Sequence, residues 1–159
     1  MLVLAAAWGC SSDDSGETEA AAKEVRLVKK AIAWINAVGE NEFQGSAIFI
    51  KSGDQIDLQI SIDPGPPGEH AVHIHEIGDC SSPDGASAGG HWNPTGEDHG
   101  KWGVPPHHLG DIGNITVDED GTGTLLLAID RWSMGTGAEN DILDKAVVVH
   151  ASADDFTTQ

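Results

Sequence analysis

The 159-residue sequence is poor in several residue types. It has no tyrosine, three phenylalanines and two cysteines, and only 8 Lys and Arg residues against 26 Asp and Glu residues, a net charge of −18. Two cysteines exclude a disulfide-rich scaffold. Such an acidic surface repels phosphate and argues against nucleic acid as a partner. No apolar run reaches the roughly 20 residues of a membrane-spanning helix, and the length fits one globular domain with a tail.

Twenty glycines and a hydrophobic share of 39% indicate a globular chain with many turns. Every second residue between Ile56 and Ile62 is apolar, which is typical of a half-buried strand. Short apolar segments recur along the chain between turn residues, and they predict an all-β antiparallel sandwich or Greek-key barrel. The seven predicted strands are residues 31–35, 43–50, 56–62, 70–75, 112–117, 123–129 and 146–150.

The first ten residues are apolar and small up to Cys10, and a polar stretch follows at once. This pattern resembles the end of a bacterial lipoprotein signal with Cys10 as the lipidated residue. It predicts a signal remnant in residues 1–10, a polar linker in residues 11–29 and a domain in residues 30–159. A periplasmic or cell-envelope location follows, with membrane contact through the lipid alone. The alternative is an ordinary terminus with an incidental cysteine.

All eight histidines lie between His70 and His150. His73 and His75 are two residues apart on a predicted strand, so both imidazoles point to one side. Alone, such a pair is more often a coincidence of surface or core histidines. The next segment, Ile77 to Asp111, is rich in Gly, Pro, His and Asp and too poor in apolar residues to hold itself by burial, which is typical of a functional loop.

Several neutral imidazoles with one carboxylate are the donors that Zn(II) and Cu(II) prefer. His150 ends an otherwise apolar strand, and the loop supplies the remaining candidates. These are His91, His99, His107, His108 and Asp111. The sequence therefore predicts a transition-metal site.

Four segments, residues 68–80, 89–94, 108–114 and 147–155, resemble the copper-zinc superoxide dismutase family in its bacterial secreted form. The resemblance runs in order from about residue 30 to residue 155. It implies an immunoglobulin-like Greek-key sandwich or flattened barrel with a long metal-binding loop. It also implies the disproportionation of superoxide to O₂ and H₂O₂ by Cu(II)/Cu(I) cycling, with zinc in a structural role.

The resemblance implies specific roles for the site residues. The copper ligands and catalytic residues would be His73, His75, His91 and His150. The zinc ligands would be His91, which joins the two metals, with His99, His108 and Asp111. Asp154 would accept hydrogen bonds from the non-ligating nitrogens of His73 and His99. His107 is the alternative to His108 in a shifted register, and His70 is expected to be a structural loop histidine.

The sequence departs from the family at its end. The family continues to a last strand with a disulfide cysteine and an arginine that attracts the anion, whereas this sequence stops at Gln159. We expect this last strand to be missing and the edge of the neighbouring strand to be unpaired. The sequence does not identify what Cys80 contacts. Lys101 and Arg131 are the cations that could replace the arginine, although we expect both to be ordinary surface residues.

Two other functions stay open. A non-enzymatic copper- or zinc-binding protein of the same fold would keep the ligands without efficient catalysis. An adhesion-type sandwich with incidental histidines would bind no stoichiometric metal. The sequence leaves homodimer formation open too, because the family uses different dimer surfaces and the strand pattern does not identify one.

Overall fold

The computed structural model describes residues 28–38 and 42–158 in full and the backbone of residues 2–6. Cys10 and nearly all of the predicted linker lie outside these residues, so the lipidation prediction is not tested. The described part is all-β, with one short 3-10 turn at Ala86–Ala88. Its strands are β1 (Leu2–Ala6), β2 (Lys30–Ala37), β3 (Gln44–Ser52), β4 (Gln55–Ile62), β5 (Gly68–His75), β6 (Asp111–Val117), β7 (Gly123–Ile129) and β8 (Ala146–His150).

The strands form a closed barrel in the order β1-β2-β3-β4-β7-β6-β5-β8, and every neighbouring pair is antiparallel. The β4–β5 and β7–β8 connections join strands that are not neighbours in the sheet, which is the Greek-key arrangement. The seven predicted strands and the Greek-key barrel are therefore confirmed. Within the described ranges, no helix has the length and apolar character needed to span a membrane.

Strand β1 was not predicted. Its backbone pairs with β2 on one side and with β8 on the other, with Leu4 opposite both Asn36 and Val148. The edge that we expected to be unpaired is therefore occupied along these residues. An unpaired edge exposes a row of backbone donors and acceptors, and any extended apolar segment of the chain that reaches it can satisfy them.

The barrel core is built from the inward positions of alternating strands. In β4 the inward side chains Ile56, Leu58, Ile60 and Ile62 are all at most 1% exposed. Strands β5 and β8 are buried on both faces. Val72 and Val149 face the core, and the opposite face of β8 packs against Ala88 of the β5–β6 loop. The long loop therefore covers one outer face of the barrel, and the predicted metal site lies between that loop and the strands.

Candidate metal centre

The first group of side chains lies on the covered face of β5 and β8. His73 and His75 share that face of β5, His150 ends β8, and His91 enters from the loop through a backbone bridge opposite His75. The ring centroid of His73 lies 3.9 Å from that of His91 and 4.8 Å from that of His150. Each of the four histidines has a nitrogen within 4.8 Å of the others.

A β-bulge helps to bring the two groups of candidate ligands together. The pairing of β5 with β6 shifts between Val72 and His73, so that His73 lies opposite Asp111. Such a bulge re-aims side chains locally and is common beside functional sites.

The second group surrounds Asp111. Its Oδ1 lies 3.3 Å from Nδ1 of His91, 3.1 Å from Nδ1 of His99 and 3.2 Å from Nδ1 of His108. The other oxygen, Oδ2, accepts the backbone N–H groups of Gly100 and His108 at 3.0 and 2.8 Å. One carboxylate oxygen is thus satisfied by the backbone, and the other is directed at three imidazole nitrogens.

These distances fit a tetrahedral zinc ion. With zinc bonds of about 2.0 Å to nitrogen and oxygen, the ligand atoms of a tetrahedron lie about 3.3 Å apart. The observed separations of 3.1 to 3.3 Å between Asp111 Oδ1 and the three nitrogens match this edge length. Three imidazoles and one carboxylate also form the closed set of four ligands that is typical of a structural zinc site.

In three of the histidines, a hydrogen bond from one ring nitrogen leaves the other nitrogen available to bind a metal. His75 Nδ1 donates to the Gly89 carbonyl at 2.7 Å. His73 Nε2 and His99 Nε2 donate to the two oxygens of Asp154 at 2.7 and 2.9 Å. Each ring therefore keeps its lone pair on the other nitrogen, which faces the cluster.

The buried ligand atoms have no hydrogen-bond partner. Among the described residues, the buried side-chain nitrogens and oxygens in this condition are His73 Nδ1, His75 Nε2, His91 Nδ1, His99 Nδ1, His108 Nδ1, Asp111 Oδ1 and His150 Nε2. Every one belongs to a residue that the sequence predicted as a ligand. Leaving a buried polar atom without a hydrogen bond costs about 1–3 kcal/mol of folding free energy. Seven such atoms in one place are therefore best explained as metal ligands.

The protonation of these groups is consistent with metal binding. Burial lowers the pKa of His73 to about 4, and burial with the charges of His73 and His75 lowers the pKa of His150 to about 3. These rings are neutral at pH 7. Burial opposes ionisation of Asp111, but the adjacent His91 imidazole and the backbone N–H groups of Gly100 and His108 outweigh it and lower its pKa. His73 and His150 therefore present neutral imidazoles and Asp111 a carboxylate, whereas the hydrogen bond to Asp154 outweighs burial and raises the pKa of His99.

His73 lies close to both groups. One of its nitrogens is within 4.8 Å of ligand atoms of His91, His99 and Asp111. We place His73 in the first group because it shares the covered face of β5 with His75, whereas Asp111 Oδ1 already has nitrogens of three other histidines within 3.3 Å. His108 completes the second group, since its Nδ1 lies 3.2 Å from Asp111 Oδ1.

A backbone clasp holds the loop against β5. Ile74, between His73 and His75, accepts from Trp92 N at 2.8 Å and donates to the Gly110 carbonyl at 2.8 Å, while Gly110 N donates to the Trp92 carbonyl at 2.9 Å. A side chain at Gly110 would overlap the Ile74 carbonyl oxygen. The three bonds therefore fix the segments that carry His91 and His108.

Two histidines lie outside both groups. His107 is buried, its Nδ1 lies 2.7 Å from the His108 carbonyl oxygen, and its Nε2 lies 3.1 Å from Arg131 Nη1. The shifted register that would use His107 is therefore not adopted. His70 lies on β5 rather than in a loop, which corrects the prediction, and its two nitrogens lie 2.9 Å from the carbonyl oxygens of His150 and Pro66.

Sequence reasoning gave no role to Asn114, as it gave none to Gly110 of the clasp. Asn114 on β6 accepts from Asp154 N at 2.7 Å and donates to the Asp154 carbonyl at 3.1 Å. This pair of bonds holds the segment that carries the Asp154 carboxylate. Asn114 lies in the 108–114 segment that resembles the family, which is the signal that could have identified it.

The two cations considered for anion attraction differ in position. Arg131 is partly buried and its guanidinium contacts His107. Lys101 is exposed, and its Nζ lies 5.4 Å from the ring centroid of Phe156. Phe156 N in turn donates to Asp154 Oδ1 at 2.7 Å. Lys101 therefore lies beside the segment that supports the site, and Arg131 packs behind the loop.

Comparisons with known proteins agree with this geometry. A family model described as copper/zinc superoxide dismutase (SODC) matches residues 43–159. A solved structure, "Crystal Structure Analysis of the clock protein EA4", is 33% identical, with a TM-score of 0.71, and the match covers 80% of this chain and 78% of that chain. All candidate metal ligands lie within the range that the family model matches.

The backbone clasp leads to a first prediction. In Gly110→Ala the added methyl group overlaps the Ile74 carbonyl, and such overpacking costs about 1–3 kcal/mol. We expect a lower urea midpoint for the metal-free protein and weaker retention of both zinc and copper. Gly90→Ala is the matched control, because the methyl group there meets open space. Equal midpoints for the two variants would contradict the clasp.

A second prediction concerns Asp154. In Asp154→Asn one carboxylate oxygen becomes an amide nitrogen, which cannot accept from both His73 and His99. We expect about a 10- to 100-fold loss of metal affinity in competition with a chelator, the usual effect of removing such a partner. Asp155→Asn removes the same charge from an exposed neighbour whose carboxylate accepts from Thr157 and Thr158. An equal loss in both variants would indicate a general charge effect instead.

Proposed function

The chain belongs to the copper/zinc superoxide dismutase family, and we propose that it disproportionates superoxide to O₂ and H₂O₂. The observation that carries the proposal is the pair of adjacent clusters of buried, unsatisfied ligand atoms that share His91. The same atoms would be expensive to bury in a sandwich with incidental histidines. Metal binding is therefore the interpretation that the donor set favours.

We assign the two clusters to different metals. The copper ligands are His73, His75, His91 and His150, and the zinc ligands are His91, His99, His108 and Asp111. When bound, copper supplies the one-electron cycling that oxidises one superoxide and reduces a second, whereas zinc does not change its oxidation state. The residues of this chain would hold copper mainly on β5 and β8 and zinc mainly in the loop, with His91 shared by both.

His91 is the residue common to both clusters. Its Nδ1 faces Asp111 Oδ1 at 3.3 Å, so Nδ1 would bind zinc and Nε2 would be the nitrogen left to bind copper. When Nε2 is not bound to a metal, it is the His91 nitrogen that can hold a proton.

Asp154 couples the orientation of the two clusters. Its oxygens accept from His73 in one cluster and from His99 in the other. The hydrogen bonds outweigh the effect of burial and lower the pKa of Asp154. The ionised carboxylate holds both rings at once, so that the copper and zinc ligands cannot turn independently.

The candidate ligands of the two clusters differ in solvent exposure. The side chains of His99, His108 and Asp111 are at most 4% exposed, whereas that of His91 is 12% exposed. His150 is also only half-buried. His73 and His75 are buried as well, so a small anion would approach the copper cluster at His150 and the shared His91.

A non-enzymatic copper- and zinc-binding protein is the second candidate. The solved relative is named a clock protein, and that name describes no enzyme activity. The net charge of −18 also repels an anionic substrate. The two candidates share every ligand and differ only in the rate of superoxide consumption.

We also propose a periplasmic or cell-envelope location with a lipid on Cys10. The apolar segment before Cys10 and the polar stretch after it support this proposal. Cleavage beside Cys10 would release β1 from the barrel, because that strand comprises Leu2–Ala6. Mass spectrometry of the N-terminus of the purified protein tests the proposal, and an intact, unlipidated residue 10 would contradict it.

A third prediction tests the catalytic function. In the presence of EDTA, which suppresses catalysis by unbound copper, protein loaded with both metals is expected to consume superoxide at a rate proportional to its bound copper. In His91→Ala each metal loses a ligand, so we expect weaker copper and zinc binding and a rate close to that of the buffer with EDTA.

His107→Gln is the matched control, since His107 lies in the same loop and faces away from both clusters. It should retain both metals and the activity. Wild-type protein that holds both metals and consumes superoxide no faster than the buffer with EDTA would reject the enzyme and favour the binding protein. Unchanged zinc content in His91→Ala would contradict the shared ligand.

A further inference from the structure

Three of the five tryptophans form one connected series of rings. The ring centroid of Trp92 lies 6.1 Å from that of Trp132, and the ring centroid of Trp132 lies 5.9 Å from that of Trp102. Both separations are within the range of about 4.5–7 Å that is typical of aromatic pairs in contact. We call these residues the tryptophan series, in the order Trp92, Trp132, Trp102.

The first member of the series is joined directly to the copper ligands. Trp92 follows His91 in the sequence, and its backbone N–H donates at 2.8 Å to the carbonyl of Ile74, which lies between His73 and His75. Successive side chains of an extended backbone point to opposite sides, so the Trp92 ring packs in the core while His91 faces the clusters. One covalent connection and one hydrogen bond therefore link this indole to three copper ligands.

The last member of the series lies at the surface. Trp92 and Trp132 are each 3% exposed, whereas Trp102 is half-buried at the edge of the core. Trp132 Nε1 donates to the Leu109 carbonyl at 2.9 Å. A carbonyl does not take up this proton at neutral pH, so an oxidised Trp132 would keep its proton and remain a strong oxidant. Trp102 contacts water, to which an oxidised indole can lose its proton, and a positive charge would therefore be trapped there.

We propose that the tryptophan series carries electrons from the surface to the copper cluster and so protects the histidine ligands from oxidation. The proposal rests on the copper binding of the proposed function. Hydrogen peroxide, the product of that function, is the source of the oxidant.

The electrons balance as follows. H₂O₂ that takes one electron from reduced copper breaks at its O–O bond into a hydroxide ion and a hydroxyl radical. One electron from Trp92 converts the radical into a second hydroxide ion. Trp132 then supplies an electron to Trp92, and Trp102 supplies one to Trp132, so that H₂O₂ has received one electron from copper and one from Trp102. The Trp102 radical cation loses its Nε1 proton to water, after which a one-electron donor such as ascorbate restores the indole or O₂ adds to its ring.

A role in packing alone gives a different expectation. Trp92 and Trp132 belong to the core, and the ring of Phe49 contacts Trp132 at a centroid distance of 6.0 Å. Packing requires the volume of these rings but not their oxidation, so it predicts that radicals attack tryptophans in the order of their exposure. Trp34 on β2 is 63% exposed, and it would then be oxidised before Trp102.

The experiment is peptide mapping by mass spectrometry after treatment with H₂O₂. Protein loaded with both metals is reduced with just enough ascorbate to reduce its copper and is then mixed with H₂O₂ in aerated buffer that contains EDTA and ethanol. Ethanol captures hydroxyl radicals that reach the solvent. We expect oxygen to be incorporated at Trp102, while Trp34 stays at the level of the metal-free protein and the ligand histidines stay intact.

Trp132→Phe interrupts the series, because a phenyl ring is much harder to oxidise than an indole. We expect oxidation of Trp102 to fall to the level of the metal-free protein and oxidation of Trp92 and of the ligand histidines to rise. Phe49→Leu is the matched control, since it disturbs the packing around Trp132 and removes no indole. It should leave oxidation of Trp102 unchanged.

Three results would overturn the relay. They are oxidation of Trp34 as strong as that of Trp102, loss of Trp102 oxidation when ethanol is present, and Trp102 oxidation that persists in Trp132→Phe. The first two are measured on wild-type protein and decide the question even if Trp132→Phe does not fold. Protein that binds copper and consumes superoxide without oxidation of Trp102 would overturn the relay alone, whereas protein that binds no copper would overturn the proposed function as well.

Discussion

The structure of the long loop depends on the carboxylate of Asp111. The loop between β5 and β6 has little apolar content beyond Ala88, Trp92, Trp102 and Leu109, which pack against the barrel. One oxygen of Asp111 binds the backbone of Gly100 and His108, and the other faces three imidazoles at 3.1 to 3.3 Å. Because the same atoms order the loop and present zinc ligands, zinc affinity and loop stability are coupled quantities.

The barrel gives the copper ligands a rigid backbone that the loop does not have. Strands β5 and β8 pair with each other, β5 also pairs with β6 and β8 with β1, so the sheet holds the backbone that carries His73, His75 and His150. Asp154 and Asn114 then join the chain after β8 to β6. The copper ligands are thus held mainly by the sheet and the zinc ligands mainly by the loop, with His91 and Asp154 connecting the two.

The sequence predicted the fold and the ligands to different degrees, for physical reasons. Alternation in β4 and apolar runs in β8 follow directly from burial, so those strands were predictable. His73 and His75 on one face follow from strand geometry, whereas the remaining ligands came from the family resemblance. Strand β1 was missed because an apolar N-terminal segment fits a signal as well as a strand. Gly110 and Asn114 were missed because their roles depend on backbone contacts between distant segments, which no local pattern encodes.

The net charge of −18 has little effect on whether a superoxide anion can reach the copper ligands. At physiological ionic strength, charges are screened over about 8 Å, so most exposed acids contribute little to the electrostatic potential at the copper ligands. The charges that matter are those within that distance of the copper ligands. Asp111 and Asp154 are committed to imidazoles, and the exposed Lys101 lies over Phe156, two residues from Asp154. The balance between enzyme and binding protein therefore rests on a few local groups, and the acidic surface as a whole is compatible with either.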